Sequence, residues 1–269
     1  MRIGILSDLH CELEPAGSRW INPYASERLD AMVGDALAWF RDADADLIVL
    51  LGDLVQFPLP RDLGHVFARL AAGASAPLAV VNGNHDLRLG DEFAARARSH
   101  GISLLSEQPL AYGGVDIRGV EVESGAKPPQ YRGRADAWAA GAALDVVASH
   151  FPLLSQAERV AAAGLPYPGD LVNRGELEAR IAAAPAPTLV LSGHIHARCT
   201  AAAGSLLQFT VGALIEPPFD ATIVEVDAEG PRVRRTARRL GEIAVIDPVF
   251  APEEEAWEWD GRWQAVEAA

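Results

Sequence analysis

Positive charge is scarce in this chain. Lys127 is the only lysine, and 23 basic residues face 37 acidic ones, for a formal net charge of −14. That balance argues against a general nucleic-acid binder, which needs a basic footprint to displace condensed counterions. Cysteine is nearly absent as well. Cys11 and Cys199 are the only two, too few for a disulfide framework. Long apolar runs are missing: no stretch approaches the roughly 18 uninterrupted apolar residues of a membrane span. Asp8 also interrupts the run after Met1 before a secretory core could form. The expectation is a cytoplasmic protein with no membrane partner. Internal repeats and low-complexity tracts are absent too.

At 269 residues, 49% hydrophobic and 22% charged, the chain suits one large α/β domain better than two small ones. Residues 1–250 read as that domain and 251–269 as a Trp/Glu-rich C-terminal tail carrying Glu253, Glu254, Glu255, Trp257, Trp259 and Trp263. Rings of this size bury themselves, so the tail is expected to strap either the domain or a neighbouring subunit. Whether copies form a homo-oligomer stays open.

Strands are expected at Ile3 to Leu6, Leu47 to Leu51, Leu78 to Val81, Ile102 to Leu105, Val115 to Glu121, Leu144 to Ser149 and Leu189 to Leu191. Ser26 to Asp42 places Leu29, Met32, Val33, Ala36, Leu37 and Phe40 on one helical face. Arg61 to Ala72, Asp91 to His100 and Gly175 to Ala184 are further helices, with Asn173 as the expected cap of the last. Leu206 to Val211, Thr222 to Asp227 and Val233 to Thr236 read as an antiparallel meander. The order predicts two packed sheets with helices outside.

Five polar clusters follow strand-like runs: Asp8 and His10; Asp53; Asn84, His85 and Asp86; His150; His194 and His196. Each sits at the carboxyl end of a predicted strand, where open α/β sheets gather ligands. Singly, such Asp and Asn residues are more often turn formers or helix caps. Together, imidazole, carboxylate and carboxamide make a donor set for borderline and hard divalent metals. Five of the chain's seven histidines lie in these clusters; His65 and His100 fall in helical patterns.

The series Asp8-Leu9-His10, Gly52-Asp53, Gly83-Asn84-His85-Asp86, His150 and Gly193-His194-Ile195-His196 resembles the complete signature of the calcineurin-like metallophosphoesterases. The resemblance implies the four-layer α/β/β/α fold, a two-sheet β-sandwich flanked by helices. It also implies two divalent or mixed-valence metal ions. Asp8, His10 and His196 would hold the first, Asn84, His150 and His194 the second, with Asp53 bridging. His85 would stabilise the transferring phosphoryl group or protonate the leaving group, oriented by Asp86. These donors tolerate manganese, iron, zinc, cobalt or nickel. Two such ions about 3.5–4 Å apart clamp a phosphoryl group and acidify a bridging water to hydroxide.

The substrate is expected to be a small anionic phosphoester. Protein phosphatases of this family follow Gly-Asp with Val-Asp-Arg-Gly, whereas this chain reads Gly52-Asp53-Leu54-Val55-Gln56-Phe57. The wording is more similar to that of small bacterial phosphodiesterases, so a small or nucleotide-like phosphodiester is the first expectation. A phosphomonoesterase or nucleotide pyrophosphatase is the alternative, followed by a DNA nuclease subunit with the same motifs or a metal-bearing scaffold. Loops at Pro15 to Tyr24, Ser124 to Gly141 and Pro152 to Arg174 offer Arg19, Trp20, Tyr24, Tyr131, Arg132, Trp138, Tyr167 and Arg174 as candidate substrate contacts.

Overall fold

The strand Leu47–Leu50 is apolar at every position, and all four residues are buried. Uniform burial means that both faces of its sheet are covered. Leu47 and Val49 turn towards a second sheet, while Ile48 and Leu50 turn towards helices. That alternation sets the whole architecture. The structure is a computed structural model describing residues 1–269 except 113, 128–129, 136–142, 185, 243–245 and 269. Trp138, a candidate substrate contact, therefore lies outside the described residues.

In chain order the elements are β1 (Arg2–Leu6), α1 (Leu29–Asp42), β2 (Leu47–Leu50), α2 (Pro60–Gly73), β3 (Leu78–Val80), α3 (Asp91–Ser99), β4 (Ser103–Leu104), β5 (Leu110–Tyr112), β6 (Val115–Ser124) and β7 (Tyr131–Arg134). They continue with β8 (Leu144–Ser149), α4 (Ala157–Ala162), α5 (Arg174–Ala182), β9 (Thr188–Ser192), β10 (Cys199–Ala203), β11 (Leu206–Thr210), β12 (Asp220–Asp227), β13 (Arg232–Arg239), β14 (Glu254–Trp259) and β15 (Trp263–Val266). One sheet has the order β15-β14-β13-β12-β1-β2-β3-β4, and the other β10-β11-β9-β8-β6-β5, with β7 on β6.

Three apolar layers result. Leu37, Phe40 and Phe67 pack helices α1 and α2 onto the first sheet. Ile3, Ile5, Val146, Leu189 and Leu191 fill the space between the sheets. Val147, Val190, Leu177 and Ile181 pack α5 onto the second sheet. The expected α/β/β/α layering is present.

Local expectations differ in three places. The predicted meander is divided between the sheets: β11 pairs parallel with β9 in the second, while β12 and β13 pair antiparallel in the first. Periodicity reports which face is buried and not which neighbour is chosen. Asn173 precedes α5 but makes no side-chain cap bond. Its carboxamide instead exchanges hydrogen bonds with the backbone of Gly133, at 2.9 and 2.8 Å, tying α5 to β7. The tail forms the β14–β15 hairpin on the edge of the first sheet. There Arg232 and Arg234 meet Glu258 and Glu254 across the strand pair. The Trp263 indole donates to the Ser205 carbonyl at 2.9 Å, and Thr200 bonds Glu255, so the hairpin also grips the second sheet.

Candidate metal centre

All five polar clusters meet at one edge of the sandwich, because β1, β2, β3, β8 and β9 end there. The loops are stitched together by backbone bonds, from the Asp8 N–H to the Gly52 carbonyl, from His10 to Asp53, and from Gly193 to His150. Seven described non-glycine residues have positive φ, and five of them are Asp8, His10, Asp53, His194 and His196. Left-handed backbone costs about 1–2 kcal/mol per residue, and such strain gathers at functional sites. Glycine is dictated at two neighbouring positions. A Cβ on Gly83 would collide with the Asp53 carboxylate, and one on Gly193 with Ser7 and Asp8.

Three of the four ligand imidazoles are oriented from behind, His194 being the exception, with no partner on its Nε2. The Nδ1–H of His10 donates to Gln56 Oε1 at 2.8 Å, that of His150 to the Leu51 carbonyl at 2.7 Å, and that of His196 to Glu216 Oε1 at 2.5 Å. In the neutral rings Nε2 is then a lone-pair donor. Nε2 of His10 and His196 face each other at 3.1 Å, with Asp8 Oδ1 3.3 Å from His196 and 3.8 Å from His10. Asp8 Oδ2 is occupied by the Ser7 hydroxyl and the His194 N–H, and its Oδ1 has no hydrogen-bond partner. The second cluster has the same character. His150 Nε2 lies 3.1 Å from Asn84 Oδ1, 3.2 Å from His194 Nδ1 and 3.3 Å from Asp53 Oδ2. Buried acceptors converging this closely repel unless a positive charge lies among them. Two cations fit the two clusters; Asp53 groups with His150 and His194 in one and lies beside the other, its Oδ2 3.7 Å from His10 Nε2, where it also groups with His10 and His85.

Protons supply part of that charge when the clusters hold no cation. Burial opposes the charged imidazoles, yet Asp53 raises His150 to about 9, and Asp8 with Glu216 raises His196 to about 10. Burial and the neighbouring His150 push His194 down to about 3. Against the cost of burial, the imidazoliums hold Asp8 and Asp53 below the usual carboxylate range. A divalent ion must displace the protons on His150 and His196. Metal uptake at pH 7 is therefore expected to release about two protons, with affinity rising about tenfold per pH unit for each, up to pH 9–10. Titration calorimetry in buffers of different ionisation enthalpy measures the release; none would mean neutral imidazoles. The same raised values make the metal-free fold lose stability as pH climbs from about 6.5, the ordinary histidine value, to 9–10.

The cleft over the clusters holds about 250 Å³ and is lined by His10, Trp20, Tyr24, Asp53, Asn84, His85, Tyr131, Pro168, His194 and His196. A larger cavity of about 600 Å³ lies at the opposite ends of the strands, among Met1, Arg2, Asp46, Glu225 and Arg232, far from these groups. Trp20, Tyr24 and Tyr131 are thus the substrate candidates placed at the site. Arg19 is exposed and outside the lining. Arg132 pairs with Glu176, Arg174 with Glu178 and Asp170, and the Tyr167 hydroxyl donates to Asp170. These groups are engaged by neighbouring carboxylates and are not among the lining residues of the cleft.

Asp86 corrects a second expectation. Its carboxylate does not orient His85 but accepts the N–H groups of Gly83, Leu54 and Val55. Burial and the Asp53 charge push it up to about 7. His85 is held instead by the Gln56 carbonyl, to which its Nδ1–H donates at 2.8 Å, and by its backbone N–H on Asp53 Oδ1 at 2.8 Å. Gln56, Glu216 and Asn82 were not singled out in the sequence. Asn82 clamps the third loop to Val122 of β6 through two hydrogen bonds. Gln56 carried a faint signal, lying three residues beyond Asp53 in a short loop; Glu216 lies 20 residues from His196 and carried none. Cys11 and Cys199 are buried, and their thiols are pushed up to about 12 chiefly by burial.

The sequence profile of the calcineurin-like phosphoesterases matches residues 1–198. The chain belongs to this family. No curated protein matches it significantly. Among solved structures, the fold of this phosphoesterase is similar to that of a dimetal phosphatase from Danio rerio, at 14% identity and a TM-score of 0.65, covering 90% of this chain and 96% of that one. It is also similar to the protein TT1561 of Thermus thermophilus, at 16% identity and a TM-score of 0.52, covering 85% and 94%. The phosphopantetheinyl hydrolase of Mycobacterium tuberculosis is a third, at 15% and 0.50, covering 78% and 89%. Family membership and the paired ligand clusters support a phosphoester hydrolase with a dinuclear divalent-metal centre. Among the described residues, no helix is long and apolar enough to cross a membrane.

Proposed function

We propose that this phosphoesterase hydrolyses small or nucleotide-like phosphodiesters. The observation that carries this reading is the composition of the cleft. Two candidate cation clusters meet beside Asp53 at its floor, Trp20, Tyr24 and Tyr131 wall it, and no arginine or lysine is among its described lining residues. A diester carries one negative charge, which the floor can balance, whereas a monoester dianion gains more from added guanidinium groups. Aromatic rings suit a planar base or aryl group through stacking.

Bound in the two clusters, divalent cations would supply Lewis-acid charge and a water of lowered pKa. Asp8, His10 and His196 would hold one ion and Asn84, His150 and His194 the other, with Asp53 serving both. Manganese, iron, zinc, cobalt and nickel all suit these donors. Tyr24 packs its ring 5.1 Å from His10. Burial, reinforced by Glu216, keeps its hydroxyl protonated. His85 stands in the lining with Nδ1–H committed to Gln56. With Nδ1–H so committed, Nε2 carries a proton only in the imidazolium form, and that form would give it to the departing alkoxide and return to the neutral ring.

Two experiments test this reading. Metal-free protein is reconstituted with manganese, iron, zinc or nickel and assayed on bis(p-nitrophenyl) phosphate, p-nitrophenyl phosphate, cyclic nucleotides and dinucleotides. Diester turnover should exceed monoester turnover, and a monoester preference would replace the reading with a phosphatase. His85→Ala is expected to retain both metals and to slow alkyl-leaving diesters by about 10²–10⁴-fold, with much less effect on p-nitrophenyl esters. Equal slowing of both would assign His85 to electrostatic stabilisation.

A further inference from the structure

Glu216 is a fully buried carboxylate that no proposed step of hydrolysis uses. It lies between β11 and β12 and serves two parts of the site at once. Oε1 accepts the Nδ1–H of His196 at 2.5 Å and the backbone N–H of Ile21 at 3.4 Å, while Oε2 accepts the backbone N–H of Asn22. Asn22 is itself pinned on its other side. Its Nδ2 donates to the Ile246 carbonyl at 2.9 Å, and its Oδ1 accepts the Ile246 N–H at 3.1 Å. Trp20 and Tyr24 flank these two amides and wall the cleft, and the Tyr24 ring sits 6.1 Å from that of His196. One carboxylate therefore joins a candidate metal ligand to the loop that shapes the substrate wall.

We propose that Glu216 is a positioning residue that couples cation binding at His196 to the ordering of the aromatic loop at residues 20–24. The physical basis is the shared acceptor. A cation at Nε2, taking the place of a proton, fixes the position of the ring and so the direction in which Nδ1–H is presented to the carboxylate. The carboxylate so held then presents a set acceptor to the Ile21 and Asn22 amides. Linkage makes the effect reciprocal, so a folded loop raises cation affinity as much as the cation favours the folded loop. The functional meaning rests on the cleft reading above, since the wall matters only if substrate binds there. The coupling itself does not require turnover.

The test uses the full-length chain, with zinc or manganese alone as the probe. Cation affinity is measured by competition with a chelating indicator, and hydrogen exchange of residues 20–25 is followed with and without the metal. In the wild-type protein, metal loading should slow exchange of this segment. Glu216→Gln should weaken binding of one cation about 10- to 100-fold and erase the metal-dependent slowing. Asn22→Ala, which leaves the His196 contact in place, should speed exchange of the segment and weaken that cation only a few-fold. On bis(p-nitrophenyl) phosphate it should raise KM with kcat little changed. Metal-insensitive exchange in the wild-type protein overturns the proposal without any variant having to fold. Wild-type cation affinity in Glu216→Gln overturns it as well. Neither readout depends on which ester the enzyme hydrolyses, so a failed diester panel leaves this result interpretable.

Discussion

Replacing Asp53 by Ala is expected to empty both cation sites and lower phosphoester turnover by about 10⁴- to 10⁶-fold, the scale on which groups acting as one catalytic unit fail. Its carboxylate groups with His150 and His194 on one side and with His10 and His85 on the other, so it stands between the two ligand clusters at the cleft floor. It also accepts the His85 amide and supplies the main charge that keeps His150 protonated without metal. In Asp53→Ala the His150 imidazole should fall back towards ordinary values, so the proton release on metal addition should shrink along with the affinity. Metal analysis of the purified variant, alongside its activity, checks both statements. An active variant with two metals would show that another group bridges the centre.

The largest effect on stability is expected away from the chemistry. Arg198 and Asp220 form a bidentate pair, Nε to Oδ2 at 2.8 Å and Nη2 to Oδ1 at 2.6 Å, with both side chains essentially fully buried. Asp220→Ala leaves a guanidinium uncompensated in the interior, which costs about 3–5 kcal/mol. Urea unfolding of metal-free protein should show this loss as a lower midpoint with little change in slope. Removing both charges together, as Arg198→Met with Asp220→Leu, should recover most of it, because desolvation of the pair cancels much of its attraction. A single variant within about 0.5 kcal/mol of wild type would mean that water reaches the pair.

The parts of the site that were legible in the sequence share one property, which is that each ligand directly follows a strand buried on both faces. An apolar run such as Leu47–Leu50 is visible without any partner, and the polar residue ending it stands out. The elements that escaped notice are those whose formation depends on a partner. The segment Glu254–Trp259 mixes acidic and aromatic residues and reads as a tail, but against the arginines of β13 it becomes a strand. Tyr131–Arg134 pairs with the end of β6, where its Arg134 meets Glu121 and Glu123. The carboxylate partners of Arg132 and Arg174 are not legible in the sequence, because an arginine's neighbours are set only when the chain folds.

The order and chemistry of the ligand motifs, the two-sheet architecture and the family are properties of the sequence alone, since each rests on residue type and local spacing. Tertiary structure decided which aromatic residues reach the cleft, that Gln56 rather than Asp86 holds His85, and that Glu216 stands behind His196. Those relations join residues 20 or more positions apart, or depend on which way a short loop turns. They are settled by the competition for buried hydrogen-bond partners, which exists only once the two sheets have closed.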